Sequence, residues 1–527
     1  MTIGIGVILR QHAEQAELGP GERRLLHAIA EDPRLNLLLV SQAPAASDTP
    51  SGAVARALAL EARAFPAPDR AESASPEIVP LPAALPEGCD VVVDFSHSEA
   101  ALRLGTAAPE GLWRLSCYAP GAGHGEARDR AAVTRVTLTR TRAGGETETL
   151  DVARYDTKFL ATRNATLARE KSVQLVTRAL ARLAHTGAAS GEARSENGGE
   201  TGGENGSETG GEAAEAVPVR RFTAGDLPGY GFRSFRELFT RALHAAGERV
   251  GFRPGMFELR LGHGDGLSFD PAVTVPLTPP KGSYWADPFL FEHAGTLYLF
   301  YEVYDYKTRR GHLGVGRVEG DRLVPLGDVL KRPYHLSYPF VFSWKGEIWM
   351  LPETCGASQL ELWRATDFPF GWELETTALE GVVAADSVLH EQAGQWWLFT
   401  NICRDSAGDH GAELHLFRVD SPMMNRLEPH PLNPVVIDTT TARGGGRVFA
   451  RDGKLYRSSQ DNSHGLYGFG LNLMQITRLD MEGYAEERVR HVTGDFAPGL
   501  MGCHHMDAAA GRFVIDVRRR TLGAPKG

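Results

Sequence analysis

The sequence predicts a multidomain protein, an N-terminal α/β domain followed by an all-β five-bladed β-propeller. An acidic stretch rich in Gly and Glu at 186–217 divides the chain. Before it, short apolar strands alternate with helical stretches, the order of an α/β domain. After it, strand pairs around glycine turns recur at intervals of about 50 to 60 residues, the spacing of four-stranded blades.

In the first region, 1–185, residues 3–9 and 35–40 read as buried strands with a helix at 21–30 between them, and 91–95 as a further strand. Leu167, Val173, Val176, Leu180 and Leu183 recur at helical spacing, so 160–183 is expected to be a helix packed on that domain. Seven glutamates between 192 and 215 face one arginine, and hardly any apolar side chain accompanies them. Such a segment cannot bury enough surface to offset its ordering entropy, so 186–217 is expected to be a disordered linker. A connecting segment, 218–255, holds an amphipathic helix through Phe235, Leu238, Phe239 and Leu243.

The propeller is expected to span 256–520. Asp287 precedes Glu302 by fifteen residues, and the same offset joins Tyr338 to Glu353 and Asp386 to Asn401. Each unit reads as a strand, a turn at Gly295, Gly346 or Gly394, and a returning strand. Antiparallel return brings the start of one strand and the end of the next to the same edge, so these six residues gather on one face. Further units start near Gly446 and His504, and the strand at 256–262 is placed to complete the last blade and close the ring.

A chain of 527 residues with net charge −10 and 42% hydrophobic residues is ordinary globular material, and its charge excludes nucleic acid as the main partner. Five cysteines without paired spacing fit a reducing compartment and neither a disulfide framework nor a zinc site. No apolar run reaches the length of a membrane helix. The expected location is cytoplasmic, with no cofactor and no metal.

Carboxyl groups converging at a channel suit glycoside chemistry, in which one protonates a leaving oxygen while another activates water or attacks the sugar. Asp287, Glu353 and Asp386 are the catalytic candidates. Glu302, His335, Tyr338, Asn401, Arg443, Arg457, Gln460, Asp461 and His504 are the candidates for substrate binding. The alternative is that Asp-Pro and the strand-end Glu are turn residues capping blade edges. Adjacent residues on a strand point to opposite faces, so only one of His504 and His505 is expected to reach the channel.

The order Ala286-Asp287-Pro288-Phe289, Tyr301-Glu302, Ser337-Tyr338-Pro339, Leu351-Pro352-Glu353, Ala385-Asp386-Ser387 and Arg457-Ser458-Ser459-Gln460-Asp461 resembles the N-terminal propeller domain of plant glucosamine inositolphosphorylceramide transferases. That domain in turn resembles the five-bladed propellers of glycoside hydrolase families 43 and 32. The resemblance implies work on a sugar, glycan or glycolipid, with Asp287 matching the family 43 base. Tyr338 stands in place of that family's second Asp, and Asp386 in place of its Glu. Two further readings stay open: a non-catalytic sugar-binding module assisting a separate glycosyltransferase, and a protein scaffold. Residues 1–183 are weakly similar to formyltransferase-like domains, but the stretch after Trp113 lacks that family's arrangement of Asn, His and Asp, with His124 its one candidate. This implies a degenerate module, in which His124 is expected on a surface loop.

Overall fold

The computed structural model describes residues 2–11, 18–44, 52–72, 74, 76–187, 189, 221–249 and 257–519. Apart from 186, 187 and 189, the expected linker lies outside them, as do Met256 and Arg520. The chain divides into two compact units, Met1–Val152 with Thr157–Ser234, and Ala153–Asp156 with Phe235–Gly527.

The first unit is built on a seven-stranded sheet. Its central strands Ile3–Gln11 and Val91–Asp94 run parallel, flanked by Leu35–Pro44 on one side and Leu112–Leu115 on the other. Strands buried on both faces read as continuous apolar runs, and Ile5, Val7, Ile8, Val91, Val92 and Val93 have almost no exposure. Val133–Thr141 joins antiparallel, with Thr147–Asp156 beyond it. The helix at Ala161–Thr186 covers the sheet through Val173, Val176 and Leu180, close to the expected span. His124 departs from expectation. It opens a short helix at His124–Asp129 with its Nδ1 buried and unpaired, and burial lowers its pKa to about 4.

A second helix, Leu227–Arg249, starts well before the apolar stripe that reveals it. Pro228, Gly229 and Gly231 weaken its first turns as a sequence signal. Tyr230 anchors those turns: its hydroxyl accepts from the backbone N–H of Ala161 at 2.8 Å and donates to Glu61, inside a cluster with Val54, Leu58 and Ala127.

The second unit is a five-bladed propeller. Blade one holds Ser283–His293, Thr296–Asp305, Arg310–Glu319 and Arg322–Leu330; blade two begins with Ser337–Trp344, blade three with Ala384–Gln392 and blade four with Gly444–Arg451. Blade five combines Leu500–Ala509 and Arg512–Arg519 with Phe257–Gly264 and Phe269–Leu277. The expected closure therefore uses two early strands. Arg512–Arg519 and Phe257–Gly264 pair antiparallel, so the two C-terminal strands are completed into a four-stranded blade.

Each innermost hairpin turns on a residue pair with both φ positive: Ala294-Gly295, Lys345-Gly346, Ala393-Gly394, Asp452-Gly453 and Ala510-Gly511. This is the type I′ geometry that matches strand twist, with glycine at the second position. The repeat seen in the sequence is thus the repeat of one turn. No helix among the described residues is long and apolar enough to cross a membrane.

Candidate active site

Opposite these turns, each inner strand breaks register. The bulges fall between Ala286 and Phe289, Ser337 and Phe340, Ala385 and Val388, Gly444 and Val448, and Cys503 and His505. A bulge inserts an unpaired residue and re-aims its side chain. In the first three blades the inserted residue is left-handed: Asp287 at φ 49°, Tyr338 at 49° and Asp386 at 48°. Such backbone costs about 1–2 kcal/mol per non-glycine residue. It is retained where surrounding contacts over-determine it. The partner strand places Glu302 opposite Ala286, Glu353 opposite Ser337 and Asn401 opposite Ala385, so the fifteen-residue offset is one hairpin register repeated.

Asp287 is buried. Burial pushes its carboxyl pKa up to about 8, His504 pulls against that, and Asp386, Asp516 and Glu353 add to the rise. Glu302 is raised well above the usual carboxylate range, first by burial and then by Asp287 and Glu353. Its Oε1 has no hydrogen bond and lies 3.4 Å from His335 Nε2. His335 Nδ1 accepts from the backbone N–H of Gly311 at 2.9 Å, so the imidazole N–H is the one facing Glu302.

Across the mouth, Arg443 Nε donates to Asp386 Oδ2 at 2.6 Å and Gln460 Nε2 donates to the same oxygen at 3.0 Å. Burial raises Asp386, and Arg443 pulls against that rise without cancelling it. Glu353 Oε2 accepts from the Asp386 backbone N–H at 3.3 Å and lies 3.9 Å from Arg443. Arg443 rests 5.0 Å from the centre of the Tyr467 ring, which is 38% exposed and offers an open aromatic face. Beside Asp287, Tyr284 stacks on Tyr304 at 4.7 Å.

Tyr338 lies beneath this mouth rather than lining it. It is fully buried against Phe289 and His505, and its hydroxyl both accepts from Gly446 N at 2.9 Å and donates to Gly446 O at 3.0 Å. Meeting Phe289 of blade one, Gly446 of blade four and His505 of blade five from its place in blade two, Tyr338 plugs the channel.

Other predicted residues are spent internally. Asn401 donates to the carbonyls of Glu413 and Ala442 and accepts from Gly444 N. Arg457 is buried against Glu486 at 2.6 Å and donates to the Thr441 carbonyl. Asp461 faces His491 at 3.2 Å and accepts from Ser463 N. The site brings together Asp287, Glu302, His335, Glu353, Asp386, Arg443, Gln460 and His504.

Both adjacent histidines approach Asp287, against the simple alternation of a strand, although His505 is fully buried beside Tyr338. The bulge at Cys503/His505 breaks that alternation, placing His504 Nε2 3.5 Å and His505 Nδ1 3.7 Å from Asp287 Oδ1. Sequence reasoning also missed Asp516, a lone acid in the apolar run Phe513-Val514-Ile515-Asp516-Val517. Asp287, His504 and Asp516 offer ligand-type atoms within 4.8 Å of one another. Both Asp516 oxygens, however, already accept hydrogen bonds, from Asp287 N on one side and from His504 and His505 on the other. That leaves an incomplete donor set for a cation. A separate cavity of about 250 Å³, lined by Leu267, Arg447, Phe449, Met506 and Asp507, lies toward the turn end and includes none of the predicted site residues.

Residues 273–507 match the family model described as glucosamine inositolphosphorylceramide transferase 1, N-terminal. The enzyme of that name from Oryza sativa subsp. japonica is 38% identical over 252 residues, covering 45% of this chain and 33% of the relative. Its Arabidopsis thaliana counterpart is 36% identical over 227 residues, 42% of this chain and 29% of the relative. The chain thus spans about a third of the length of the curated relatives it matches. Among solved structures, Zg3597, a family 117 glycoside hydrolase of Zobellia galactanivorans, is 12% identical over 52% of this chain and 93% of its own, with TM-score 0.31. An α-L-arabinofuranosidase from Lactobacillus brevis is 11% identical over 48% and 88%, with TM-score 0.33.

Proposed function

We propose that the propeller seats a glycosyl group of a glycan or glycolipid in this mouth and acts on it through carboxyl acid/base chemistry. One observation carries the reading. Carboxyl groups from three blades, the buried Asp287, Glu302 and Asp386 with the partly buried Glu353, converge beside the partly exposed ring of Tyr467. A sugar offers an apolar face for that ring and hydroxyls for those carboxyls.

Within that reading Asp287, lifted to about 8, is the group that keeps its proton near neutral pH, with Glu302 raised beside it, which suits donation to a leaving oxygen. Glu353 and Asp386 face them, and Arg443 beside Asp386 supplies the positive charge that an anionic substituent or a developing oxyanion needs. The relatives' name makes inositolphosphorylceramide glycolipids and glucosamine donors the first ligands to test. The protein would work in the cytoplasm, which the free state of all five cysteines supports.

A second reading, binding without turnover, is favoured by one feature: Asp386 is already held by Arg443 and Gln460 while Tyr338 fills the blade-two position. The test incubates the full chain with a panel of glycosides, nucleotide sugars and inositolphosphoryl glycolipids, following products by mass spectrometry and binding by calorimetry. Turnover that Asp287→Asn lowers at least a hundredfold, with binding kept, supports the first reading. Binding without turnover supports the second, and no binding to any member overturns both.

A further inference from the structure

Behind Asp287 stand two groups that the sugar reading leaves idle. Asp516, fully buried in the middle of Arg512–Arg519, accepts from the backbone N–H groups of His504 at 3.2 Å and His505 at 2.8 Å, and from Asp287 N at 3.1 Å. It also lies 2.7 Å from His504 Nδ1. With a carboxylate as its partner, Nδ1 carries a proton, so the other ring nitrogen, Nε2, is the one aimed at Asp287. Phe257 stacks on the His504 ring at 4.4 Å and 20°, and Tyr467 meets it edge-on at 5.1 Å. The ring is held in a dry box and its orientation is fixed.

We propose that Asp516, His504 and Asp287 form a proton relay, in which His504 is a positioning and proton-holding residue for the carboxyl group at the channel mouth. The proton of the Asp287 carboxyl passes to His504 Nε2, while the Nδ1 proton stays on the ring, donated to the Asp516 carboxylate. Asp287 is then a carboxylate able to accept a proton from a sugar hydroxyl or a water. Return of the proton from Nε2 restores the acid. No atom or electron is gained or lost, and the imidazolium formed lies between two carboxylates.

Such transfer needs partners of similar proton affinity. Burial lifts the Asp287 carboxyl to about 8, with His504 the largest influence against it. Burial opposes a charged His504, yet Asp516 outweighs it and the ring ends above its ordinary value. The Asp287 carboxyl, ordinarily more than two pH units below an imidazole, is lifted into the imidazole range. Asp386, Glu353 and Asp516 also face Asp287 and disfavour its ionisation. His505 is near the same oxygen, but burial drives its pKa down to about 3, so it stays neutral and does not take the proton.

The relay rests on the sugar reading for its use but not for its test, which needs no ligand. Infrared difference spectra of the full chain between about pH 5 and 10 report the protonated carboxyl stretch of Asp287, identified by its loss in Asp287→Asn. In His504→Gln, the midpoint of that band is expected to rise by about one pH unit, a tenfold gain in proton affinity, because the opposing positive charge is gone. Asp516→Asn removes the partner that holds the His504 ring above its ordinary value, so in that variant the His504 nitrogen titration is expected to fall to lower pH. In the unsubstituted protein, the His504 nitrogen resonances are expected to titrate across the same pH range as the Asp287 band. That measurement keeps the proposal testable if either variant fails to fold. A midpoint unmoved in folded variants, or His504 resonances constant across the Asp287 titration, overturns the relay. A confirmed relay in a protein that binds no glycoside would overturn the sugar reading alone.

Discussion

Replacing Asp287 with Asn should stabilise the protein at neutral pH while impairing its chemistry. The folded state holds the Asp287 proton to about pH 8, against an ordinary value of 3.8. An unfolded chain releases that proton above about pH 4. Between those values the folded state binds more protons than the unfolded, so stability falls as pH rises, is least from pH 8 upward, and is fully recovered below 3.8. At pH 7 the gap is about three pH units, worth at most about 4 kcal/mol at about 1.4 kcal/mol each. Charge exchange with His504 takes up part of this, leaving an expected gain of about 2–4 kcal/mol for Asp287→Asn at pH 7. Asparagine keeps the shape and is among the residues that best tolerate a φ of 49°. Urea unfolding at pH 4, 5.5 and 7 is the assay. The gain should be near zero at pH 4 and grow toward pH 7. A variant less stable than the parent by the same amount at every pH would refute the buried-acid account and make Asp287 a structural cap.

Four other outcomes are expected. Tyr338→Phe removes both hydroxyl bonds to the Gly446 peptide group, leaving it buried and unsatisfied, and should lower urea stability by about 2 kcal/mol. Arg443→Met strips Asp386 of its counter-ion and should cost about 3 kcal/mol at pH 7, a loss that shrinks as acid protonates Asp386. Arg457→Met breaks the buried pair with Glu486 and should cost about 3–5 kcal/mol, while leaving calorimetric ligand binding of the folded fraction unchanged. A fragment of residues 1–234 should melt higher than one of residues 1–220, because only the longer one keeps Tyr230 on Glu61 and Ala161.

Local pattern made most of the fold legible. The alternation of strands and helices before the acidic stretch, and the glycine turns after it, are short-range signals that survive in a single sequence. The hairpin register did too, because Asp287, Tyr338 and Asp386 each precede their partner by one constant offset. What stayed hidden depends on bulges and on distant packing. The pair of histidines escaped because a bulge at Cys503/His505 changes which side chains face inward, and nothing in His504-His505 itself announces a bulge. Asn401 and Arg457 stood in the expected register, yet their polar atoms are consumed by Gly444, Glu486 and carbonyls supplied from other strands. Pattern places a residue at a strand end; only the fold says whether its hydrogen bonds are already taken.

A residue at φ near 49° is costly, and the chain carries that cost at the same step of three successive blades. At Tyr338 the compensation is visible: two hydrogen bonds to one peptide group and aromatic contacts with Phe289 and His505. At Asp287 and Asp386 the compensating contacts bring in further charges, from His504 in one case and Arg443 in the other. Structural plugs and polar sites thus share one backbone device, and the side chain decides between them. A tyrosine there closes the channel, whereas an aspartate leaves a carboxyl group whose proton is set by its neighbours. The proposed acid/base chemistry therefore turns on Asp287, the acid whose neighbours include an oriented imidazole.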